Sequence, residues 1–589
     1  MLEADAPRRS RMFTTAALLV PALMFFLVAY VWPLGALLYD SFESGGRFTV
    51  TNHIKNLASP AFHAILLRTL QMSLMVAVLC LLVGYPLAYA LSKLKGTLVA
   101  FLLLLVTIPY VTSILIRTYA WIVILSGSGI VNKTMMSLGI IETPLQLVFN
   151  QLGVYVGMVQ VQLPLMIFPL YAVLTKIDHS LAPAAYGLGS SPASAFWHVT
   201  LPLSFPGIAS GFTLVFLSCL GFYVTPALLG GTGEYMLAQG ISVRVLTLGD
   251  FDSASTQAAS LLVVVIVLFL LFRRRIGVEL DEGERRPARE HDAGSGLRHW
   301  PAALEWVAAA FGGWLSSIGV LASWARRLLL WPLAVMTLLF LTAPLLVVIP
   351  LAFSDAAYLT FPPPGYSLRW FHEFFDNQQW IDAAIFSART AVLATALSLA
   401  IGVPAAFAIV RRGFSGRIGV YLLLISPLVV PHVVVAVALF FQLAPAGMSG
   451  TTIAFIISYT LIGIPYVVVV CIAGLRRFDR TLEMAAASLG ASPAIVLRTV
   501  TLPLLLPSLV SAGLFAFIVG FDDVVFGLFL SGANSTPLPI RMWDDIRLEI
   551  SPQIAVVAVL LFIMLALGYG LILAIRTLSR SEAKSGNFD

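Results

Sequence analysis

Two adjacent carboxylates, Asp522 and Asp523, lie inside an apolar run of the sequence. A carboxylate near the middle of a transmembrane helix costs roughly 2.5–3.5 kcal/mol on insertion scales, so both side chains are expected to face protein or water. Paired negative charge in such a place could bind a cation. A structural pair, hydrogen-bonded to neighbouring helices or salt-bridged to Arg541, would account for the same residues.

Four further residues are candidates for the same pathway. Gln160 and Gln162 are polar where lipid would penalise them, although hydrogen bonding between helices explains them equally well. An internal repeat with an offset of 301 residues places Gly221 and Phe222 at the positions of the two aspartates, and Tyr223 follows them. Tyr223 could offer its ring to a cation, although an aromatic side chain in a span often serves packing alone.

One motif occurs twice in the chain, 301 positions apart. Each copy has the pattern Ala-Ala-x-x-Leu-Gly-x-Ser-Pro and is followed by Leu-Pro. The residues of the two copies that we single out are Ala184, Ala185, Gly189 and Pro202 in the first, and Ala485, Ala486, Gly490 and Pro503 in the second. The matched spacing indicates that one membrane unit was duplicated and fused.

Each copy of the motif predicts a helix, a tight turn and a second helix. Paired alanines favour a helix, glycine can adopt the left-handed conformation that ends it, and Ser-Pro is typical of the start of the next helix. Leu-Pro is expected to close this second helix before the next span. A rigid helix pair at the membrane face suits a transporter that receives force from a soluble partner, and an ordinary interfacial loop is the simpler alternative.

The composition is that of a membrane protein. Hydrophobic residues make up 59% of the chain, charged residues only 11%, and the mean hydropathy is +0.94. The three cysteines lie in apolar runs without metal-ligand spacing, which argues against a disulfide framework or a zinc site. No Gly-x-x-x-x-Gly-Lys-Ser/Thr phosphate loop, His-Glu-x-x-His motif or nucleophile elbow occurs, so the chain is not expected to be an enzyme or its own ATPase.

Apolar runs of roughly 20 residues predict an all-α membrane protein with about twelve spans, six in each of two pseudo-twofold-related halves. The spans are predicted near residues 14–38, 70–92, 98–124, 150–175, 206–230 and 255–272, and near 329–353, 388–410, 418–442, 452–475, 507–531 and 553–575. The predicted domains are 1–272, a charged linker 273–328, and 329–589.

Basic residues predict the orientation of the chain. If both halves start in the cytoplasm, 25 of the 35 Lys and Arg residues lie on that side, in keeping with the positive-inside rule. Both termini and both repeated motifs are then cytoplasmic. Residues 302–323 are apolar enough to span, but a span there would invert the second half, so we favour a helix at the inner interface.

The repeated motif resembles the cytoplasmic signature of binding-protein-dependent ABC importer permeases, which runs Glu-Ala-Ala, three residues, Gly, and then Leu-Pro. In that family this loop forms the helices that dock into the ATPase subunits. Both copies depart from the signature at the acidic position, where Pro183 and Met484 stand, with Glu483 one residue earlier. The resemblance implies a docking role for the loops and leaves the glutamate contact open.

Further motifs narrow the resemblance. Ile108-Pro109-Tyr110, Ile116 to Trp121 and Phe222 to Gly231 look like the first permease type of the spermidine/putrescine group. The second half resembles the second type of that group through Ser426-Pro427-x-x-x-Pro431, Gly520 to Val525 and Ile550-Ser551-Pro552. A fused pair of permeases is therefore implied.

This resemblance implies a permease in the bacterial inner membrane that imports a small cationic or amine-containing, polyamine-like solute. Its partners are expected to be two ABC ATPase subunits and a periplasmic or lipid-anchored solute-binding protein, with no nucleic acid. No cofactor is expected on this chain, because the partner ATPase uses the ATP and magnesium. The alternative is a secondary transporter or channel driven by an ion gradient through Asp522 and Asp523.

Overall fold

The computed structural model describes residues 8–272 and 319–570, apart from residues 45, 179, 232, 359, 413, 549, 550, 565 and 569. This part of the chain is mostly helical, with one short antiparallel hairpin of Glu43–Ser44 and Arg47–Phe48. Most of the predicted linker 273–328, including most of the interfacial helix predicted at 302–323, lies outside the described residues. The domain boundaries therefore stay a prediction.

The helices of the first half follow the predicted runs closely, with additional short helices between them. They are α1 Arg8–Phe26, α2 Trp32–Asp40, α3 Thr51–Ala58, α4 Pro60–Ser92, α5 Thr97–Val111, α6 Ile114–Leu125, α7 Ile130–Ser137, α8 Gln151–Leu174, α9 Leu181–Gly187, α10 Pro192–Ala195, α11 Leu201–Leu220, α12 Val224–Leu229, α13 Leu237–Val243 and α14 Phe251–Phe272. Single π-helical turns occur at Leu27–Val31, Phe196–Thr200 and Arg244–Leu248.

The second half repeats this order. Its helices are α15 Gly319–Ala352, α16 Arg369–Asp376, α17 Gln378–Arg411, α18 Arg417–Ile425, α19 His432–Leu443, α20 Thr452–Arg477, α21 Arg480–Ser488, α22 Pro493–Val496, α23 Leu502–Phe521, α24 Val525–Leu530, α25 Leu538–Leu548 and α26 Gln553–Gly568. A π-helical turn at Leu497–Thr501 matches the one at Phe196–Thr200, and Ser426–Leu428 forms a 3₁₀ turn.

Ten helices in the described ranges are long and apolar enough to cross a membrane, or eleven if one bent pair counts as a single span. The predicted number of twelve is not confirmed. The third predicted span is broken in both halves, and the end of the span predicted at 553–575 lies outside the described residues. The prediction of a polytopic all-α protein with two repeated halves is confirmed.

The third span of each half breaks near its middle. In the first half α5 ends at Val111, and the extended backbone of Thr112 and Ser113 separates it from α6. In the second half the chain between α18 and α19 bends by 94° at Pro431, whose ψ of 129° is also extended. Proline and extended residues interrupt the backbone hydrogen bonds of a helix, which is tolerated in a membrane where the freed groups face protein or a cavity.

The halves are interlocked. Helices α4, α8 and α11 pack together in the first half, as α17, α20 and α23 do in the second. The first span of each half, however, lies against the other half, with α1 on α17 and α15 on α4 and α6. The Thr337 hydroxyl on α15 donates to the carbonyl oxygen of Val83 on α4 at 3.0 Å. One continuous buried core results.

The fifth span starts earlier than predicted in both halves. The sequence suggested starts at Pro206 and Pro507, but helical structure runs from Phe196 to Leu220 and from Pro493 to Phe521. The expected end of the second short helix at Leu-Pro was therefore wrong. A π turn precedes Pro202 and Pro503, and both prolines then stand in the first turn of the following helix, where a missing N–H costs little.

Candidate solute pathway and coupling elbows

Each repeated motif forms the predicted helix and left-handed turn. Ala184 and Ala185 lie in α9, and Ala485 and Ala486 lie in α21. The turns follow at Gly189 and Gly490, whose φ angles are +86° and +88°. No atom lies within 4 Å of a Cβ built at either glycine, so the backbone conformation alone requires glycine there. We call residues 181–200 the first elbow and residues 480–501 the second elbow.

The helix starts inside the elbows differ from one another. The hydroxyl of Ser191 accepts the N–H of Ser194 at 3.1 Å, as predicted for an N-cap. Ser492 occupies the same place with extended backbone, but its side chain makes no capping bond. An aspartate accepts a backbone hydrogen bond just before or at the start of the first helix of each elbow, which sequence reasoning missed.

These residues are Asp178, which precedes the N-cap residue Ser180 of α9, and Asp479, which is the N-cap of α21. Asp178 Oδ1 accepts the N–H of Ser180, and Asp479 Oδ1 accepts the N–H of Thr481, both at 2.9 Å. The hydrogen bond from Thr481 holds the pKa of Asp479 below its usual value, so this cap stays charged at neutral pH. The signal in the sequence was an Asp-x-Ser/Thr spacing before each elbow.

Each elbow presents a leucine to its surroundings. Leu188 and Leu489, which precede the two turn glycines, are both 89% exposed. Met484 and Ile495 on the second elbow are also exposed. Apolar side chains that protrude from two matched positions are typical of a surface that a protein partner covers.

Glu483 does not point away from the protein. Its Oε1 accepts the hydroxyl of Thr501 at 2.9 Å and lies 3.3 Å from Nη2 of Arg411. Thr501 ends the π turn before α23, and Arg411 is the last residue of α17. The carboxylate therefore contacts two helices of its own half.

A second candidate site lies between the halves, where the two broken spans meet the ends of α11 and α23. It is a cavity of about 300 Å³. Its charged and polar lining comprises Arg117, Ser218, His432, Asp522 and Asp523, and its aromatic lining comprises Tyr110, Phe222, Tyr223, Tyr466 and Phe515. A solute that crosses between the halves would meet both carboxylates here.

Asp522 and Asp523 do not lie in the middle of a helix, as the sequence suggested. Helix α23 ends at Phe521, and α24 begins at Val525, so the two carboxylates occupy a break in the fifth span. Gly221 and Phe222 occupy the matching break between α11 and α12. A break places polar side chains beside free backbone N–H groups, which a continuous helix would not offer.

The two carboxylates have different contacts. Asp522 Oδ2 accepts the N–H of Ile114, the first residue of α6 in the other half, at 3.2 Å. Asp523 Oδ1 accepts the N–H of Phe526 in its own half at 2.7 Å, and Oδ2 lies 4.0 Å from Nδ1 of His432. Asp522 therefore links the halves, whereas Asp523 caps α24 and faces His432.

Arg117 is the basic residue of this site. It is 4% exposed, and its Nε donates to the carbonyl oxygen of Ser113 at 3.4 Å. Its charge acts on Asp522, and its Nη1 has no hydrogen-bond partner in the part of the chain that the structure describes. Arg541, the counter-ion suggested by the sequence, pairs instead with Asp545 at 3.8 Å.

The first half contributes aromatic side chains. Phe222 lines the cavity, as does Tyr223. The ring of Tyr223 is stacked on Trp543 of the second half, with ring centroids 5.6 Å apart, and its hydroxyl accepts that of Ser242 at 3.3 Å. Tyr223 thus both packs between the halves and borders the cavity.

Gln160 and Gln162 do not border this cavity. Gln160 Nε2 donates to the carbonyl oxygen of Leu341 on α15 at 3.0 Å. Gln162 Nε2 donates to the hydroxyl of Ser218 on α11 at 2.9 Å. These bonds match the helix-to-helix alternative that the sequence left open.

Sequence reasoning missed the two basic residues of the cavity. His432 begins α19, directly after Pro431 at the break of the span, and Arg117 is the fourth residue of α6. Both are ionisable residues in apolar runs, which was a usable signal. Their placement beside Asp522 and Asp523 depends on the breaks, which the sequence did not predict.

Comparison with known proteins matches the two halves to one family. The family of binding-protein-dependent transport system inner membrane components matches residues 80–277 and 398–581. The chain is 34% identical to the spermidine/putrescine transport system permease protein PotB of Escherichia coli K12 over 227 residues, which are 38% of this chain and 82% of that protein.

A second permease sequence and a solved transporter structure are also similar to this chain. The chain is 31% identical over 226 residues to the spermidine/putrescine transport system permease protein PotC of Haemophilus influenzae, covering 38% of this chain and 87% of that protein. A crystal structure of a bacterial alginate ABC transporter, in complex with a periplasmic protein bound to an alginate pentasaccharide, covers 46% of this chain and 96% of its own, at 18% identity and a TM-score of 0.39.

The family assignment fixes the class of the protein. Its members are transport subunits rather than enzymes, and an ABC importer permease works with an ATPase and a solute-binding protein. Both matches lie in one chain, which agrees with the internal duplication. This protein belongs to the binding-protein-dependent transport system inner membrane components and is a multi-pass inner-membrane permease of an ABC importer.

Proposed function

We propose that this permease moves a small cationic or amine-containing, polyamine-like solute through the cavity between its halves. The observation that carries the proposal is the pair Asp522 and Asp523 on that cavity, beside several aromatic rings. Carboxylates and aromatic faces are the groups that bind an ammonium. Relatives of the chain are named as spermidine/putrescine permeases, which agrees with an amine.

The size and charge of the cavity limit the solute. A volume of about 300 Å³ lies at the lower end of ligand sites, which suits a small molecule. Arg117 offsets part of the charge of Asp522, and Ile114 occupies one of its oxygens. Asp523, with His432 beside it, is then the carboxylate more available to an amine.

Two ATPase subunits are proposed to bind the elbows, one on each. The matched leucines Leu188 and Leu489 would be buried by these subunits, which explains their exposure here. ATP and magnesium then act on the ATPase subunits, and this chain binds no cofactor of its own. A periplasmic or lipid-anchored solute-binding protein docks at the opposite face.

The elbows are proposed to face the cytoplasm, with both termini on the same side. The support is the distribution of basic residues, 25 of 35 of which fall on that side under this topology. Movement of the ATPases would then shift the population between inward-open and outward-open arrangements of the halves. Contacts that cross between the halves, such as Asp522 with Ile114, must change in that transition.

The test is uptake by proteoliposomes that contain the permease with its partner ATPase and solute-binding protein. We expect uptake of labelled putrescine or spermidine that requires ATP and the binding protein. Uptake that continues on an ion gradient without either would overturn the proposal and favour a secondary transporter or channel. ATP-dependent uptake of another solute class, with no competition by polyamines, would overturn the assignment of the solute alone.

A further inference from the structure

The carboxylate of Glu483 holds the second elbow against the body of the permease. Its side chain is only 21% exposed, and that of its partner Arg411 only 11%. The same oxygen, Oε1, accepts from Arg411 Nη2 at 3.3 Å and from the Thr501 hydroxyl at 2.9 Å. Thr501 is 2% exposed, so this contact lies where the elbow meets the membrane helices.

Arg411 is itself held in place by the start of the second elbow. The guanidinium of Arg480 donates from Nη2 to the carbonyl oxygen of Arg411 at 3.4 Å. The guanidinium of Arg411 lies over the ring of Phe478, 5.5 Å from its centroid. Three elements, the C-terminal end of α17, helix α21 and the π turn before α23, are therefore joined through one partly shielded carboxylate.

The duplication provides a comparison within the same molecule. Lys93, directly after α4, follows Gly84-x-Pro86 at the same spacing as Arg411, the last residue of α17, follows Gly402-x-Pro404. Thr200 ends the first π turn as Thr501 ends the second. The residue that matches Glu483 is Ala182.

An alanine cannot form the carboxylate-mediated link. A small cavity of about 20 Å³ is bordered by Lys93, Ala182 and Thr200 at that place. The first elbow is packed differently, with the ring of Phe196 edge-on to Tyr85 and Tyr89 at centroid distances of 5.9 and 5.7 Å. At this position the second elbow is therefore held through a carboxylate, whereas the first elbow has a methyl group there.

We propose that Glu483 is a positioning residue for coupling: it fixes the second elbow to α17 and α23, so that movement of an ATPase on that elbow is transmitted to the helices around the cavity. The glutamate acts inside the permease, through Arg411 and Thr501. This inference rests on the proposed docking of ATPase subunits on the elbows, and it makes the two elbows unequal in how they transmit movement.

The experiment measures solute uptake and ATP hydrolysis separately in the same proteoliposomes. Glu483→Ala is expected to lower uptake per ATP hydrolysed about tenfold, because the ATPase still binds and turns over while its movement is poorly transmitted. The charge swap Glu483→Arg with Arg411→Glu is expected to recover much of this ratio. The control is Glu373→Ala, which removes a carboxylate from an exposed pair with Arg369 at 3.9 Å, remote in sequence from either elbow.

A normal ratio in Glu483→Ala would overturn the inference, as would a charge swap that is no better than the single change. Should Glu483→Ala not accumulate in the membrane, Thr501→Val replaces it as the test, because it removes only the hydroxyl that donates to the carboxylate. Thr501→Val is expected to lower the same ratio of uptake to ATP hydrolysis. An unchanged ratio in Thr501→Val would then contradict the inference. If the unmodified complex itself shows no ATP-dependent uptake, the failure lies with the proposed function rather than with Glu483.

Discussion

Asp522 of the second half caps a helix of the first half, with its Oδ2 accepting the N–H of Ile114 across 408 positions of sequence. The matching contact on the other side of the pseudo-twofold axis has different chemistry. There Gly221 lies against Pro431, so close that a Cβ on the glycine would stand 2.4 Å from the proline Cβ. One interface is polar and the other is steric, although both join the end of a fifth span to the break of the opposite third span.

The polar contact predicts that Asp522→Ala weakens the contact between the halves seen in this structure. A hydrogen bond to a charged group contributes about 1.5–3 kcal/mol, and 1.4 kcal/mol corresponds to a tenfold change in an equilibrium. We expect the initial rate of uptake to fall about tenfold and the Tm of the purified permease to decrease. Asp382→Asn serves as the control, because among the described residues Asp382 accepts from Gln378, one turn away in its own helix, and from no residue of the other half. Uptake equal to that of the control would contradict the linking role of Asp522.

The neighbouring carboxylate predicts a separation of binding from stability. In Asp523→Asn the amide oxygen can still accept the N–H of Phe526, but the negative charge is lost. We expect a nearly unchanged Tm together with a lower affinity for amine solutes during uptake, by roughly tenfold. Asp523→Ala should lower both the Tm and the uptake. An unchanged concentration dependence of uptake in Asp523→Asn would argue against an amine bound at this carboxylate.

The steric contact predicts that Gly221→Ala is harmful although alanine favours helices. The added methyl must displace Pro431, and overpacking of this kind costs about 1–3 kcal/mol. We expect a lower Tm and slower uptake. Gly35→Ala is the matched control, since no atom lies within 4 Å of the Cβ position there. Equal stability of the two variants would mean that the halves are not in close contact at Gly221.

The positive φ of Gly490 predicts that Gly490→Val abolishes uptake while membrane insertion is preserved. A left-handed conformation costs an ordinary L-residue roughly 1–2 kcal/mol, and a β-branched side chain makes it worse. The amount of protein in the membrane fraction and ATP-dependent uptake are the two measurements. Gly419→Val in α18 is the control, because no atom lies within 4 Å of the Cβ position there either, but the φ of Gly419 is not positive. Normal uptake in Gly490→Val would count against the role of the turn.

The repeat and its glycine turns could be predicted because they depend on local chemistry. Ala-Ala, Gly189 and Ser-Pro specify a helix, a left-handed residue and a new helix start whatever surrounds them. The apolar runs likewise predicted most spans. Leu-Pro misled the prediction because Pro202 is equally acceptable in the first turn of a helix that follows a π turn.

The cavity could not be predicted from the sequence, for a physical reason. The aspartates were recognisable as costly in lipid, but what neutralises that cost is a backbone N–H of Ile114 that is free only because the third span breaks. A break of this kind depends on neighbouring helices rather than on the proline alone. The pairs Asp523–His432 and Glu483–Arg411 are likewise contacts between residues far apart in the chain.

The central claim is that two matched elbows transmit the movement of ATPase subunits to the halves. Cysteines placed at Leu188 and Leu489 test it most directly. The native Cys80, Cys219 and Cys471 are all buried, so among the described residues the new thiols are the ones that a cross-linker can reach. The account predicts that each new cysteine cross-links to an ATPase subunit and that the cross-link stops ATP-dependent uptake. Labelling of both positions from the outer face, or free uptake with both elbows cross-linked, would contradict it.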